Sequence, residues 1–281
     1  MLAQPDIIMP HITDSHAIDY PCWSSRFFCE AELPRWAPFH LGGLTIDMSP
    51  TKHVVWLTIA SVLALVTLLM AARAHGRHST AGRAPKGFSN GVEALVLYLR
   101  DEVILRNVGP HGERYVPFVL TLFFFILFAN ILGLIPYGST ATGNIAVTAT
   151  LALITFVMIE IAGMRALGKG YIGTVIYWPH DMPLVTKSLM TIIMTPVEII
   201  GKFTKPFALA IRLFANMTAG HVIVLALIGL IFTFGSFWVI PGPFLMATGI
   251  MILEVFVAFL QAYVFSLLAS VFIGQIRSAH H

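Results

Sequence analysis

Charge is absent from long runs of this chain. Residues 53–72 hold no Asp, Glu, Lys or Arg, residues 116–159 hold none, and in residues 213–276 the only one is Glu254. A helix needs about 20 apolar residues to cross the hydrocarbon core of a bilayer, and these runs reach that length several times. They predict five crossings: His53 to Ala72, residues 115–137, residues 145–164, Pro206 to Ile240, and residues 244–276. The last is about 50 Å long as a helix, against a core of roughly 30 Å, so it must tilt strongly or extend past the membrane. Pro241-Gly242-Pro243 reads as the turn that joins it to the preceding crossing in a long tilted hairpin.

Other stretches have a different rhythm. Over residues 88–108, Val92, Leu95, Val96 and Leu99 fall on one side of a helix and Glu93, Arg100 and Glu102 elsewhere, which predicts an amphipathic helix on the membrane surface that does not span. Pro136 to Asn144 is a turn by its Gly, Pro and Ser/Thr content. Residues 171–206 are punctuated by Pro179, Pro183, Pro196 and Pro206 and carry Lys187, Glu198, Lys202 and Lys205, which predicts a helix that is steeply tilted, partly interfacial or facing protein. The first 50 residues are expected to form an irregular, Pro-containing extension. The organisation is therefore an extramembrane segment, 1–52, and an integral membrane domain, 53–277, with no internal repeat. The fold class is all-α and polytopic.

Composition agrees. The chain is 57% hydrophobic and only 11% charged, against roughly 25% charged in soluble domains, which excludes a water-soluble globule. The net charge of +3 is small, and the bases cluster between apolar runs, so they are topology signals and imply no nucleic-acid partner. Arg73, Arg77, Arg83 and Lys86 share one connector without an acid, which assigns it to the cytoplasmic side and the N-terminus to the outside. Arg165, Lys169 and Arg277 then fall inside as well. Residues 1–20 carry three Asp, no Lys or Arg and no apolar core, so neither a signal peptide nor a basic transit peptide is expected. A bacterial plasma membrane is favoured over an organellar one. Cys22 and Cys29 are either a disulfide, if that segment lies outside the cytosol, or two unpaired thiols.

Chemistry should reside where ionisable groups survive inside the apolar runs. An Arg at the centre of a membrane helix costs about 2.5–3.5 kcal/mol on insertion scales. Arg212 is flanked by apolar Phe207 to Ile211 and by the long run that follows; the bland reading is that it snorkels to the inner surface. Asn216 is four residues on, hence on the same face, and His221 about half a turn away from that face. On the returning helix Glu254 and Gln261, seven residues apart, share a face. In an antiparallel hairpin His221 and Glu254 come to the outer half or middle, and Arg212 and Gln261 lie deeper. A membrane-buried His and Glu read as a proton relay, or otherwise as a hydrogen-bonded pair holding two helices together. Glu198, Lys202 and Lys205 share a helix face, either simply salt-bridged or interfacial, or lining a polar vestibule that opens to the inside. Asn144 is a polar candidate at the outer end of the third crossing, or simply a helix N-cap. The Phe123-Phe124-Phe125 run faces lipid or packs.

The stretch KPFALAIRLFANMTAGHVI, residues 205–223, resembles the signature of subunit a of the rotary F-type ATP synthase, which lies beside the ring of c subunits. PKGFSNGVEALV (85–96), FANILGLIPY (128–137), NIAVTATLAL (144–153) and ILEVFVAFLQAYVFSLL (252–268) resemble the same family in the same order, so the likeness covers about residues 85–276. The resemblance implies that Arg212 is the essential cation facing the ring carboxylate, with Asn216 and Gln261 beside it. It implies that Glu198 belongs to the inner access route and that His221 and Glu254 line the outer one. The His comes first here, whereas some bacterial members carry the acid first. Implied partners are the c-ring, the peripheral-stalk subunit b, the rest of the synthase and the bilayer. No cofactor and no metal are expected. Protons are the expected coupling ion because His221 titrates.

Two other classes of membrane protein compete with this reading. A secondary transporter using Arg212 to bind an anionic substrate should show internal repeats and matched broken helices, and neither is seen. A haem- or quinone-carrying subunit should place axial His residues on facing helices, but only His221 lies deep in a span, with His53 at an end.

Overall fold

The computed structural model describes residues 13–21, 28–41, 44–81, 88–135, 138–176, 183–234, 238 and 240–278. Cys22, Arg83, Lys86, Pro136 and Pro179 lie outside them, so the pairing of Cys22 with Cys29 is not addressed. Four short strands, β1 (Ala17–Pro21), β2 (Phe28–Glu32), β3 (Phe39–Leu41) and β4 (Leu44–Ile46), precede α1 (Lys52–Ala81). After it come α2 (Phe88–Tyr98), a π-helical segment Leu99–Leu105, and α3 (Arg106–Val108). The remaining helices are α4 (Val116–Gly133), α5 (Ile145–Leu167), α6 (Leu184–Phe234) and α7 (Pro241–Arg277). Among the described residues five helices are long and apolar enough to cross a membrane: Lys52–Arg73, Gly112–Gly133, Ile145–Thr174, Ser188–Ile231 and Pro241–Arg277. The protein is an all-α, multi-pass membrane protein.

Four boundaries differ from those read from the sequence. Arg73 and Arg77 lie on α1, not in a loop, because no proline interrupts the stretch to Ala81 and a single Gly76 costs a helix only about 1 kcal/mol. The fourth crossing does not begin at Pro206. Both Pro196 and Pro206 lie inside the 51-residue α6, where each removes one backbone donor and leaves the carbonyl four residues earlier unbonded. Membrane helices tolerate this where side chains or neighbours re-satisfy the backbone. Pro241-Gly242-Pro243 is not the turn but the first turn of α7, since a first-turn N–H has no partner within its helix and its loss costs nothing there. The N-terminal extension is not wholly irregular: β1 pairs with β2 and β3 with β4, both antiparallel.

Contacts divide the chain into two compact units. One comprises Met1–Val66, Phe124–Val147 and Leu213–Gln261. In it the start of α1 is tied to the N-terminal segment: the Ser15 carbonyl accepts from the Lys52 N–H at 2.9 Å, and the Asp14 carboxylate from the His53 N–H at 3.3 Å. These bonds occupy donors that a helix start leaves orphaned. Ala60 and Ala64, both buried, form a small-residue face of the kind that lets membrane helices approach closely. Ahead of α1, the side-chain and backbone groups of Ser49 bond Asp47 and hold its carboxyl below the usual carboxylate range.

The other unit comprises Thr67–Phe123, Thr148–Arg212 and Ala262–His281. Val92 and Leu99 of the amphipathic stretch are buried, and Leu99, Val103 and Ile104 pack beside Val119, Leu120 and Phe123. Phe123, the last residue of this unit's first stretch, is 2% exposed, as is Phe124, which opens the next stretch of the first unit, so each is a packing residue and not a lipid contact. Arg277 closes the last turn of α7 by donating to the carbonyls of Val108 at 2.8 Å and Pro110 at 2.5 Å. Gly274 lies flat against the Asn107 carbonyl, with no room for a Cβ, whereas a Cβ on Gly249 meets nothing. Gly274→Ala is therefore expected to destabilise by about 1–3 kcal/mol. Gly249→Ala should be neutral or slightly stabilising, since alanine is the better helix former. Thermal unfolding of the two purified variants in detergent checks this pair.

Candidate functional site

In the first unit, α6 from Leu213 and α7 up to Gln261 run antiparallel and carry polar groups at matching heights. Asn216 Nδ2 donates to Gln261 Oε1 at 3.0 Å, and Gln261 is buried. One turn along α6, the Glu254 carboxyl rests against Gly220, where any Cβ would collide with Oε1. Glycine at 220 is thus what admits a carboxylate between the helices. Glu254 Oε1 is buried and has no hydrogen-bond partner among the described residues. The next residue, His221, places Nε2 2.8 Å from the hydroxyl of Thr140.

Thr140 belongs to the link between α4 and α5, which is anchored from below. The Thr142 hydroxyl donates to Asn130 Oδ1 at 2.9 Å, with both residues fully buried, and the Thr218 hydroxyl reaches the Gly143 carbonyl at 3.5 Å. Asn144 ends the link as the N-cap of α5: its Oδ1 accepts from the Ala146 N–H at 2.9 Å. Its Nδ2 lies 3.2 Å from Nδ1 of His53. The capping alternative for Asn144 is therefore realised, with a second contact that sequence does not reveal.

The second unit holds a different set. Lys202 on α6 does not pair with Glu198, one turn away, but with Glu160 on α5 at 3.2 Å, each side chain 15% exposed. Pairing along one helix stays solvent-facing, whereas α5 offers a carboxylate in the protein interior. The same ammonium donates to Thr174 at 3.1 Å and lies 4.6 Å from the centre of the Tyr171 ring. The Tyr171 hydroxyl in turn donates to Glu160. Glu198 is exposed. Lys205 donates to Gln275 at 3.3 Å and stands over the Phe272 ring. Arg212 and Lys205 line an open groove of about 500 Å³ together with Ile200, Thr204, Leu268 and Phe272. Two cations among apolar walls suit an anionic group presented by something that enters this groove.

Sequence reasoning missed Thr140, Gly220, Tyr171, the Glu160–Lys202 pair and the His53–Asn144 contact. None carries a periodic or spacing signal, because each depends on which elements become neighbours. Among the described residues no group of three or more His, Cys, Asp or Glu side chains converges on a metal position.

The Glu160–Lys202 pair is buried enough that losing one partner strands a charge. Glu160→Gln or Lys202→Met alone should each cost about 3–5 kcal/mol, and the double variant substantially less. Stability of the three variants in detergent, read as a double-mutant cycle, tests the pairing.

The sequence pattern of a known family, ATP synthase A chain, matches residues 54–274. The chain is 44% identical to ATP synthase subunit a of Myxococcus xanthus (strain DK1622), over 98% of its length and 90% of that protein. It is 44% identical to ATP synthase subunit a of Anaeromyxobacter dehalogenans (strain 2CP-C), over 98% of its length and 71% of the relative. The corresponding protein of Chlorobium phaeobacteroides (strain DSM 266 / SMG 266 / 2430) is 46% identical, over 98% of this chain and 75% of its own. With five apolar helices, an Arg-bearing groove and a polar seam between antiparallel helices, and with likeness along nearly the whole chain, the protein belongs to the ATP synthase A chain family.

Proposed function

We propose that the chain is the proton-conducting subunit a of an F-type ATP synthase, a membrane subunit that carries protons to and from a ring of c subunits through two offset passages and so couples proton flow to ring rotation. The observation that carries the reading is the seam of Asn216, Gln261, Gly220, Glu254 and His221, in which a carboxylate is held within an apolar hairpin with one oxygen unpartnered. Burying such a group is costly unless it is paired or neutralised by a proton, and an ionisable group kept inside a membrane span marks a proton or ion pathway by default.

The division of labour follows from the chemistry of each residue. A ring carboxylate must be neutral to face lipid and must ionise to exchange its proton. Arg212, whose guanidinium does not deprotonate in proteins, favours the ionised form and blocks leakage between the passages. His221 and Glu254 serve the outer passage, Thr140 orienting the imidazole. Glu198 serves the inner one. Asn216, one turn from Arg212 along α6, forms a polar strip with Gln261 of α7. Residues 1–52 lie outside the membrane on the outer face, the C-terminus lies in the cytoplasm, and the bilayer is a bacterial plasma membrane. The stalk subunit b and the c-ring are the partners.

ATP-driven acidification of inverted vesicles tests this. Arg212→Ala should abolish pumping while ATP hydrolysis by the detached head persists; normal pumping by that variant sinks the assignment. His221→Ala and Glu254→Ala should each slow pumping, and the exchange His221→Glu with Glu254→His should retain part of it. Equal inactivity of all three would mean that the pair only holds the helices together.

A further inference from the structure

The proton passage proposed above has a polar cluster at its outer end, two of whose members, Asp14 and His53, precede the stretch 54–274 that the family pattern matches. His53, at the start of α1, is only 2% exposed. Its Nδ1 lies between an acceptor and a donor: Asp14 Oδ1 of the N-terminal segment at 3.3 Å and Asn144 Nδ2 at 3.2 Å. The orientation of Asn144 is fixed, because its Oδ1 is committed to the Ala146 N–H, so the amide presents N–H and never oxygen to the ring. Nδ1 therefore has two satisfied states. Without a proton it accepts from Asn144; with one it donates to the Asp14 carboxylate. The other ring nitrogen, Nε2, is buried with no hydrogen-bond partner among the described residues.

A ring poised between a donor and an acceptor on one nitrogen, with the second nitrogen uncommitted, suits proton transfer better than packing. The groups facing it are Asp14 from the N-terminal segment, Asn144 from the start of α5, and Lys52, its buried neighbour on α1. Lys52 opposes a positive charge on the ring and Asp14 favours one. Asn144 also closes the link that carries Thr140, and Thr140 touches His221. The same short link thus meets one histidine at each end, all within one compact unit.

We infer that Asp14 and His53 form the mouth of the outer passage, a carboxylate–imidazole pair that collects protons from the water on the side of the N-terminal segment. The side chain of Asp14 is 31% exposed, so it takes a proton from bulk water and passes it to Nδ1 of His53. Loss of the Nε2 proton to a mobile water on the way to His221 returns the ring to neutrality with its remaining proton on Nδ1, and tautomer exchange through water moves that proton to Nε2 before the next one arrives. One proton enters and one leaves. Asn144 carries no proton; it is a positioning residue that holds the ring. The inference rests on the function proposed above and adds to it the N-terminal segment as a working part.

The competing view is that Asp14 merely caps α1, since it accepts the His53 N–H. Asp14→Asn separates the two, because asparagine caps a helix as well as aspartate but cannot carry a proton. The assay is ATP synthesis by the whole complex in inverted vesicles. The pH of the enclosed side is varied, the external pH is fixed, and the total driving force is held constant with a potassium diffusion potential. Asp14→Asn and His53→Gln should move the half-maximal enclosed-side pH about half a unit toward acid, equivalent to a roughly threefold weaker apparent proton affinity. Rates at saturating acid and the dependence on external pH should stay native, and Asp14→Glu should restore the native midpoint. An unmoved midpoint in both variants, or a loss equal at every enclosed-side pH, overturns the inference. Failure of the parent reading looks different: Arg212→Ala would then pump normally, whatever Asp14 does.

Discussion

Within a hydrocarbon core a polar group cannot fall back on water, and the rest of this structure follows from that constraint. The hydroxyls in the helices show its plainest form. Thr58, Ser61, Thr121, Thr155, Thr204 and Ser270 each donate to the carbonyl four residues earlier, so that each is satisfied within its own helix. Larger groups find partners on other elements, as Asn130 does with Thr142, Asn216 with Gln261, and Lys202 with Glu160. Against that background the departures are informative: an arginine left in an open groove and, among the described residues, a buried Glu254 carboxylate oxygen and a buried His53 ring nitrogen without hydrogen-bond partners. Asn130 Nδ2 and the hydroxyls of Ser139, Thr195 and Ser266 are also buried without partners, but they are neutral groups that do not titrate.

Those placements depend on close approach, which is the work of small residues. Without water to expel, membrane helices gain association energy from contact and hydrogen bonds, and small side chains allow both. Ala258, Ala262, Ala269 and Ser270 are fully buried on α7, Gly274 meets a backbone carbonyl, and Gly220 makes room for Glu254. α6, by contrast, is barely covered: only 6% of its most apolar window is buried within the chain. Lipid covers such a face at no cost, and so does another apolar helix. The arginine-lined groove opens on this sparsely covered helix.

Most of the fold was legible because the membrane imposes a length and a composition on each crossing. Charge-free runs gave all five spans, and their errors lie at the ends. Pro206 read as a helix start because proline breaks soluble helices, yet α6 continues through it; Pro241-Gly242-Pro243 read as a turn, yet prolines fit a first helical turn. The short hairpins of the N-terminal segment were missed because strands of three to five residues carry too few alternations to register a period. Of the candidate site residues, those that share a helix were readable from spacing, as Arg212 with Asn216 and Glu254 with Gln261 were. Partners from other elements were not. Nothing in the sequence around Glu160 says that Lys202 will meet it, and an alternative within one face of α6, Glu198, was nearer to hand.

The two polar sets differ in a way that bears on what each can do. Lys202, Glu160, Tyr171 and Thr174 close on themselves: the ammonium has only donors and uses them, and the carboxylate receives both a cation and a hydroxyl. The set of His53, Thr140, His221 and Glu254 differs by its two imidazoles, since a neutral imidazole is a donor at one nitrogen and an acceptor at the other. His53 already faces one partner of each type. A proton can move only through groups that can change role, and cannot move through a pair whose roles are fixed. On that ground the Lys202 cluster braces the helix that carries Arg212, whereas the imidazoles are the groups whose donor and acceptor nitrogens suit the conduction proposed above.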